Sequence, residues 1–303
     1  MYLEKEKQRK KNLEKIYKDV TNKKNILLID ILKLNKKMQF YVNKALFNKE
    51  TLMALKNEYS VKNSFITSKN LIFTNKNTKI SKFFNKEKRL WIYLTEEQKH
   101  STDSYSRYEK LILSKITKSN NDFITIGSRA YEFSLENKLN VLKNYTNDEK
   151  TDDLAIKLSY LIKHLYLENK YSSVQMVINT NKNKKQEFTL LPLEKFDINK
   201  FIFNKNETFN NEVKNFQIYP DLTAFIENEV NIFLENAIQS LIIESNFFNA
   251  KNNLITANQI INQLDEEIDK MHKHIIKAKR EKEIEDIVMY FTKSKETKNN
   301  NEK

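Results

Sequence analysis

From Ala250 to Val288 the apolar positions advance in alternating steps of three and four: Leu254, Ala257, Ile261, Leu264, Ile268, Met271, Ile275 and Ala278. Such spacing is a heptad seam, one stripe along a helix. Lys, Glu, Asp, Asn and Gln make up most of the positions between, and no Gly or Pro interrupts them. A helix with one long apolar stripe must cover it, so this stretch predicts a partner along its length. The chain start offers one. Val20, Leu27, Leu34, Tyr41 and Leu55 recur at multiples of seven, and Ile31, Met38, Ala45 and Leu52 form the second series, with Lys24 and Asn48 as polar exceptions. Residues 3–58 therefore predict one helix, with Asn22 and Asn25 as a place where it can kink.

Between the seams the period changes. Residues 60–89 are polar and read as a loop with short ordered pieces such as Asn70–Thr74. Leu90–Thr95, Phe123–Ile126 and Asn140–Tyr145 read as strands, the first a short buried run rich in aromatic and branched residues. Ser104–Ile116, Arg129–Asn137 and the stretch after Thr151 show helical spacing, with Ser128 and Thr151 as candidate caps. Ser173–Thr180 and Glu187–Leu193, joined by Asn181–Lys185, predict an antiparallel hairpin, while the earlier strand–helix alternation predicts parallel strands. Residues 194–218 read as polar and irregular. Pro220 marks a restart, and Asp221 or Thr223 can cap a helix running to about Thr292.

The expected fold class is α/β: a long antiparallel, left-handed coiled coil of the N- and C-terminal helices plus a Rossmann-like domain of about five strands. The expected parts are helix 1–60, α/β domain 61–218, helix 219–293 and a disordered tail 294–303.

Composition narrows the chemistry. With one Gly and no Cys in 303 residues, there is no glycine-rich phosphate loop, no disulfide and no cysteine nucleophile. His100, His164, His272 and His274 are scattered, and the last two do not share a helix face, so no metal site is expected. No cofactor-binding or catalytic residue is predicted, which argues against an enzyme built on the α/β domain. No run is long and apolar enough to span a bilayer, and the charged start lacks the apolar core of a signal peptide, so a cytoplasmic protein is expected. The net charge of +13 invites a nucleic-acid or scaffold reading. The first 60 residues, however, interleave 15 Lys/Arg with 7 Asp/Glu, which fits a solvated face or an acidic protein partner better than nucleic acid.

Several local motifs then fall in a telling order. Ile126–Tyr145 (IGSRAYEFSLENKLNVLKNY), Tyr171–Leu193 with its Leu-Leu-Pro, Tyr219-Pro220-Asp221, and Glu244-Ser245 followed by Ala257, Leu264, Ala278, Glu283, Ile284 and Ile287-Val288 together resemble the gamma subunit of F-type ATP synthases. The resemblance covers nearly the whole chain. It departs where Thr95-Glu96-Glu97-Gln98 replaces an Asp and a glycine-rich turn, where Ala250 stands for an Arg, and where Ile276-Lys277 stands for an Arg-Gln pair. These departures suggest a paralogue from an F-type-like ATPase.

The resemblance implies a rotor shaft, a non-catalytic subunit whose paired helices enter a hexameric ring of alpha- and beta-like subunits where ATP is hydrolysed or made. It also implies an epsilon-like subunit and a membrane rotor or other driven machine as partners, and a place at the inner face of the cell membrane. The seam residues would be Val20, Leu27, Ile31, Leu34, Met38, Leu254, Ala257, Ile261, Leu264, Ile268, Met271 and Ile275. The candidate ring contacts, expected on exposed faces, are Lys10, Lys15, Lys18, Lys23, Lys24, Lys273, Lys277, Lys279 and Arg280.

Overall fold

A computed structural model describes residues 2–67, 88–97, 103–116, 120–147, 151–169, 171–182, 187–198 and 217–300, with side chains from residue 3 to residue 291. The Asn70–Thr74 piece, His100 and most of the 181–185 link lie outside these residues. In order, the elements are α1 (Tyr2–Tyr59), β1 (Arg89–Leu94), α2 (Ser106–Lys115), β2 (Asn121–Ile126), α3 (Ser128–Glu136), β3 (Asn140–Tyr145), α4 (Thr151–Glu168), β4 (Ser173–Val177), β5 (Phe188–Leu191), a 3-10 turn at Leu193–Lys195, and α5 (Leu222–Asn300). The first helix continues through Asn22 and Asn25 without a break.

The sheet order is β3-β2-β1-β4-β5, with β5 alone antiparallel. This is the doubly wound order of dinucleotide-binding folds. Alternation along each strand feeds two cores. Leu90, Ile92 and Leu94 of β1, with Val174 and Met176 of β4, join the core containing α1, α4 and α5. Trp91 and Tyr93, with Phe123 and Val177, join the core under α2 and α3.

The single glycine sits where this packing is tightest. Gly127 has φ of +95°, and a Cβ there would lie 2.3 Å from the Thr95 carbonyl oxygen. Its N–H donates to Tyr145 O at 2.9 Å, and Thr95 N–H donates to Ile126 O at 2.9 Å. Ser128 was expected to cap α3 but is its first helical residue. The cap position belongs to Gly127, which has no side chain to offer, and Thr95 Oγ1 from the end of β1 accepts the Ala130 N–H instead, at 3.0 Å. The last helix follows expectation more closely, with Asp221 Oδ1 accepting the Ala224 N–H at 2.9 Å.

Three readings need correction. Residues expected to be loop contribute Phe65 and Ile66 to the core, where Leu193 N–H donates to Phe65 O at 2.8 Å. Phe196 and Ile198, in a stretch read as polar and irregular, are also buried. In both stretches the apolar residues are scattered among polar ones and keep no steady helical or strand period. Lastly, α5 extends to Asn300, so the backbone of 294–300 is helical where a disordered tail was expected. That stretch holds no Gly or Pro to stop the helix.

The chain divides into two compact units: Met1–Ile29 with Asn252–Lys303, and Asp30–Lys251. The cuts fall inside the long helices, not where the hydrophobic period changes, because in 30–251 the helices also pack on the sheet and α4. In the first unit α1 and α5 run antiparallel. Lys10 Nζ lies 3.4 Å from His272 Nδ1, while Glu4, further toward the chain start, feels Lys282 further along α5.

Candidate interaction site on the terminal helices

The heptad positions govern burial along both helices. In residues 1–29 and 252–303, Val20, Leu27, Leu254, Ile268 and Met271 are partly buried, and Ala257, Ile261, Leu264 and Ile275 are buried. In residues 30–251, Ile31 and Leu34 are partly buried and Met38 fully so. There the polar exception Asn48 is also buried. Its Nδ2 donates to Glu229 Oε2 at 2.8 Å, and its Oδ1 accepts from Asn236 Nδ2 at 3.1 Å. A satisfied amide on an apolar seam fixes register, because any slip strands its hydrogen bonds.

The basic candidates divide into two groups. Lys15, Lys18, Lys23, Lys273, Lys277, Lys279 and Arg280 are exposed, with Lys277 loosely paired to Glu281 at 3.8 Å. Lys10 and Lys24 are not on an exposed face. Both are partly buried, and Lys10 pairs with Glu14 at 3.4 Å beside His272. Their positions share the repeat of Tyr17, Ile31 and Met38, so the seam itself pulls them inward. That signal was legible in the spacing.

A feature outside the candidate residues lies on α5. Ile284, Ile287, Val288 and Phe291 recur at helical spacing and are 55–63% exposed. With Met289 and Tyr290, which are also exposed, they make an apolar stretch next to Glu283, Glu285 and Asp286.

A second polar site lies inside residues 30–251. In doubly wound folds ligands bind outside the carboxyl ends of the strands, where the strand order reverses. Here that crevice lies beyond β1 and β4, and α5 occupies it with its own side chains. Asn249 Nδ2 donates to Glu96, just after β1, and accepts on Oδ1 from Asn179 Nδ2 at 3.0 Å, just after β4. With its amide turned so that the nitrogen faces the carboxylate, Asn246 donates to Glu96 Oε1 at 2.9 Å. Thr180 Oγ1 donates to Glu244 Oε1 at 2.7 Å, and Lys182 pairs with Glu244 Oε2 at 3.1 Å. Burial pushes the Glu244 carboxyl above its usual range, against the opposing pull of Thr180 and Lys182; burial does the same to Glu96, against Asn249. Helix α3 is anchored nearby by Arg129, which pairs with Asp103 at 2.7 Å and Glu109 at 2.8 Å. The Arg129 hydrogen bond holds the Asp103 carboxyl well below the carboxylate range. Among the described residues no group of three His, Cys, Asp or Glu could hold a metal ion, and no helix is long and apolar enough to cross a membrane.

The chain is 42% identical over 282 residues to the uncharacterized protein UU050 of Ureaplasma parvum serovar 3, a match spanning 92% of this chain and 90% of that protein. It belongs to the UU050 family. No family model matches the chain. Among solved structures, this UU050-family chain is similar to a chain from the Euglena gracilis mitochondrial ATP synthase rotor, with TM-score 0.45 and 10% identity, covering 92% of this chain and 98% of that one. A chain from the OSCP/F1/c-ring structure of the same Euglena synthase gives TM-score 0.38 at 12% identity, covering 88% and 94%. One from the Tetrahymena thermophila synthase central stalk and c-ring gives 0.43 at 12% identity, covering 77% and 98%.

Proposed function

We propose that this protein is the central shaft of a rotary ATPase, F-type or F-type-like, coupling ATP hydrolysis or synthesis in a ring of alpha- and beta-like subunits to rotation. The observation that carries the reading is the pair of terminal helices, antiparallel and packed along a heptad seam, flanking a doubly wound sheet in the chain order of the gamma subunits it resembles. A packed seam resists shear between its helices, which a torque-bearing element requires. Catalysis belongs to the ring in this reading, and the filling of the sheet's switch-point crevice by α5 fits a non-catalytic role.

The exposed bases Lys15, Lys18, Lys23, Lys273, Lys277, Lys279 and Arg280 would meet acidic loops of the ring. Each such contact is weak alone and weakened further by salt. An epsilon-like subunit and a membrane rotor, or another driven machine, would engage the α/β domain, placing the assembly at the inner face of the cell membrane. Purification from the native cell through a tag on this chain tests the reading. It predicts co-purifying alpha- and beta-like subunits with ATPase activity. Recovery of nucleic acid at near-physiological salt, with no ATPase subunits, would favour the basic scaffold reading instead.

A further inference from the structure

We propose that the ring grips the two-helix unit at an uncharged apolar collar, residues 25–29 of α1 with residues 252–264 of α5, through a lining of matching chemistry. The inference rests on the rotary reading and says where, and by what kind of surface, the shaft is held.

Charge is dense along both helices except here. From Glu4 to Lys24, and from Asp265 to Asp286, every turn carries a Lys, Arg, Asp or Glu. No charged residue stands between Lys24 and Asp30, or between Lys251 and Asp265. The two gaps coincide in space. Lys10 lies beside His272 across antiparallel helices of equal rise, so residues 25–29 fall level with residues 253–257. At that level Ile26, Leu28, Ile29 and Ile255 are 40–60% exposed, beside the exposed amides of Asn25 and Asn253. Depletion of charge around exposed apolar side chains is the composition of the centre of a protein interface.

The directions of the isoleucines limit what can cover them. Ile29 stands two residues after the seam residue Leu27, about 200° round α1. Ile255 stands two residues before the seam residue Ala257, about 200° round α5. The two side chains therefore leave the helix pair on opposite sides. A second copy laid alongside, or any flat surface, would cover one of them and not the other. Nucleic acid or anionic lipid would find no cation in the collar. An occupant that covers both faces must enclose the rod. It must also bring no charge of its own, since a charge buried against the collar would meet no counter-charge. Alpha- and beta-like subunits arranged around the shaft, with uncharged apolar side chains at this level, meet both requirements.

The chain has no Cys, so single-cysteine variants report one position each. Ile29→Cys and Ile255→Cys should react with a maleimide in the free full-length chain as fast as Lys279→Cys, an exposed position. Both should become unreactive once the chain is assembled with co-expressed alpha- and beta-like subunits from the same cell. Ile29→Asn together with Ile255→Asn should weaken assembly about a hundredfold, roughly tenfold for each isoleucine. That loss should persist at salt that screens the lysine contacts, with helical content unchanged. Failure of the native chain to assemble at all would remove the rotary reading and the collar together. An assembled complex in which either cysteine stays reactive, or in which the asparagine variants bind like the native chain, would overturn the collar alone. Slow labelling of both cysteines in the free chain would also overturn it, because the chain itself would then cover the band.

Discussion

The same heptad spacing has two different consequences in the two units. In residues 1–29 and 252–303, α1 and α5 pack on each other among the described residues, and Val20, Leu27, Leu254, Ile268 and Met271 stay partly exposed. In residues 30–251 the same two helices also meet the sheet and α4, and Met38, Ala45, Leu52, Leu55, Ile238 and Leu241 are fully buried. A seam shared by two helices covers one stripe and leaves the remaining faces to solvent or to other proteins. A seam built into a three-layer core leaves little to spare. Stability should therefore concentrate in the second unit and partner contacts in the first.

Substitutions can break that contrast. Ile238→Asp places a charge where nothing pairs it, and it should cost about 4 kcal/mol or more and abolish cooperative unfolding of the 30–251 unit, read by near-UV circular dichroism. Gly127→Ala forces a Cβ against the Thr95 carbonyl at positive φ, and a loss on the order of 2–3 kcal/mol in denaturant unfolding is expected. Leu264→Ala, in the two-helix unit, should cost about 2 kcal/mol, the low end for a buried leucine, and melt helical signal without disturbing the aromatic signal of the sheet.

At the small end, Asp103→Asn should cost less than about 1 kcal/mol, because the Arg129 pair is half exposed. Asp103 is held below the carboxylate range, so its contribution is present above that range and lost as pH falls through the lowered value. Thermal unfolding of Asp103→Asn against the native chain in acid checks this, and the two should converge there.

What was legible in the sequence follows the same division. Periodicity over many residues fixed both long helices, and alternation fixed the parallel strands and the terminal hairpin. Phe65, Ile66, Phe196 and Ile198 escaped notice because the apolar residues around them keep no steady period, and their burial depends on distant partners. The Glu96–Asn249 junction was equally hidden, since it joins a residue just after β1 to one of α5 that only the folded sheet brings together. Lys10 and Lys24 teach the converse, because their register marked them as inward-facing while their charge suggested the surface. The exposed stripe of Ile284, Ile287, Val288 and Phe291 needed burial to be recognised, as its spacing alone is that of any buried helix face.

The central claim is that partners grip the two-helix unit as a shaft. Hydrogen exchange of the chain, free and then bound to alpha- and beta-like subunits from the same cell, tests it most directly. The account predicts new protection in residues 3–29 and 252–291, with the β1–β4 amides unchanged. Protection confined to the sheet and its helices, with residues 3–29 and 252–291 exchanging as in the free chain, would contradict it.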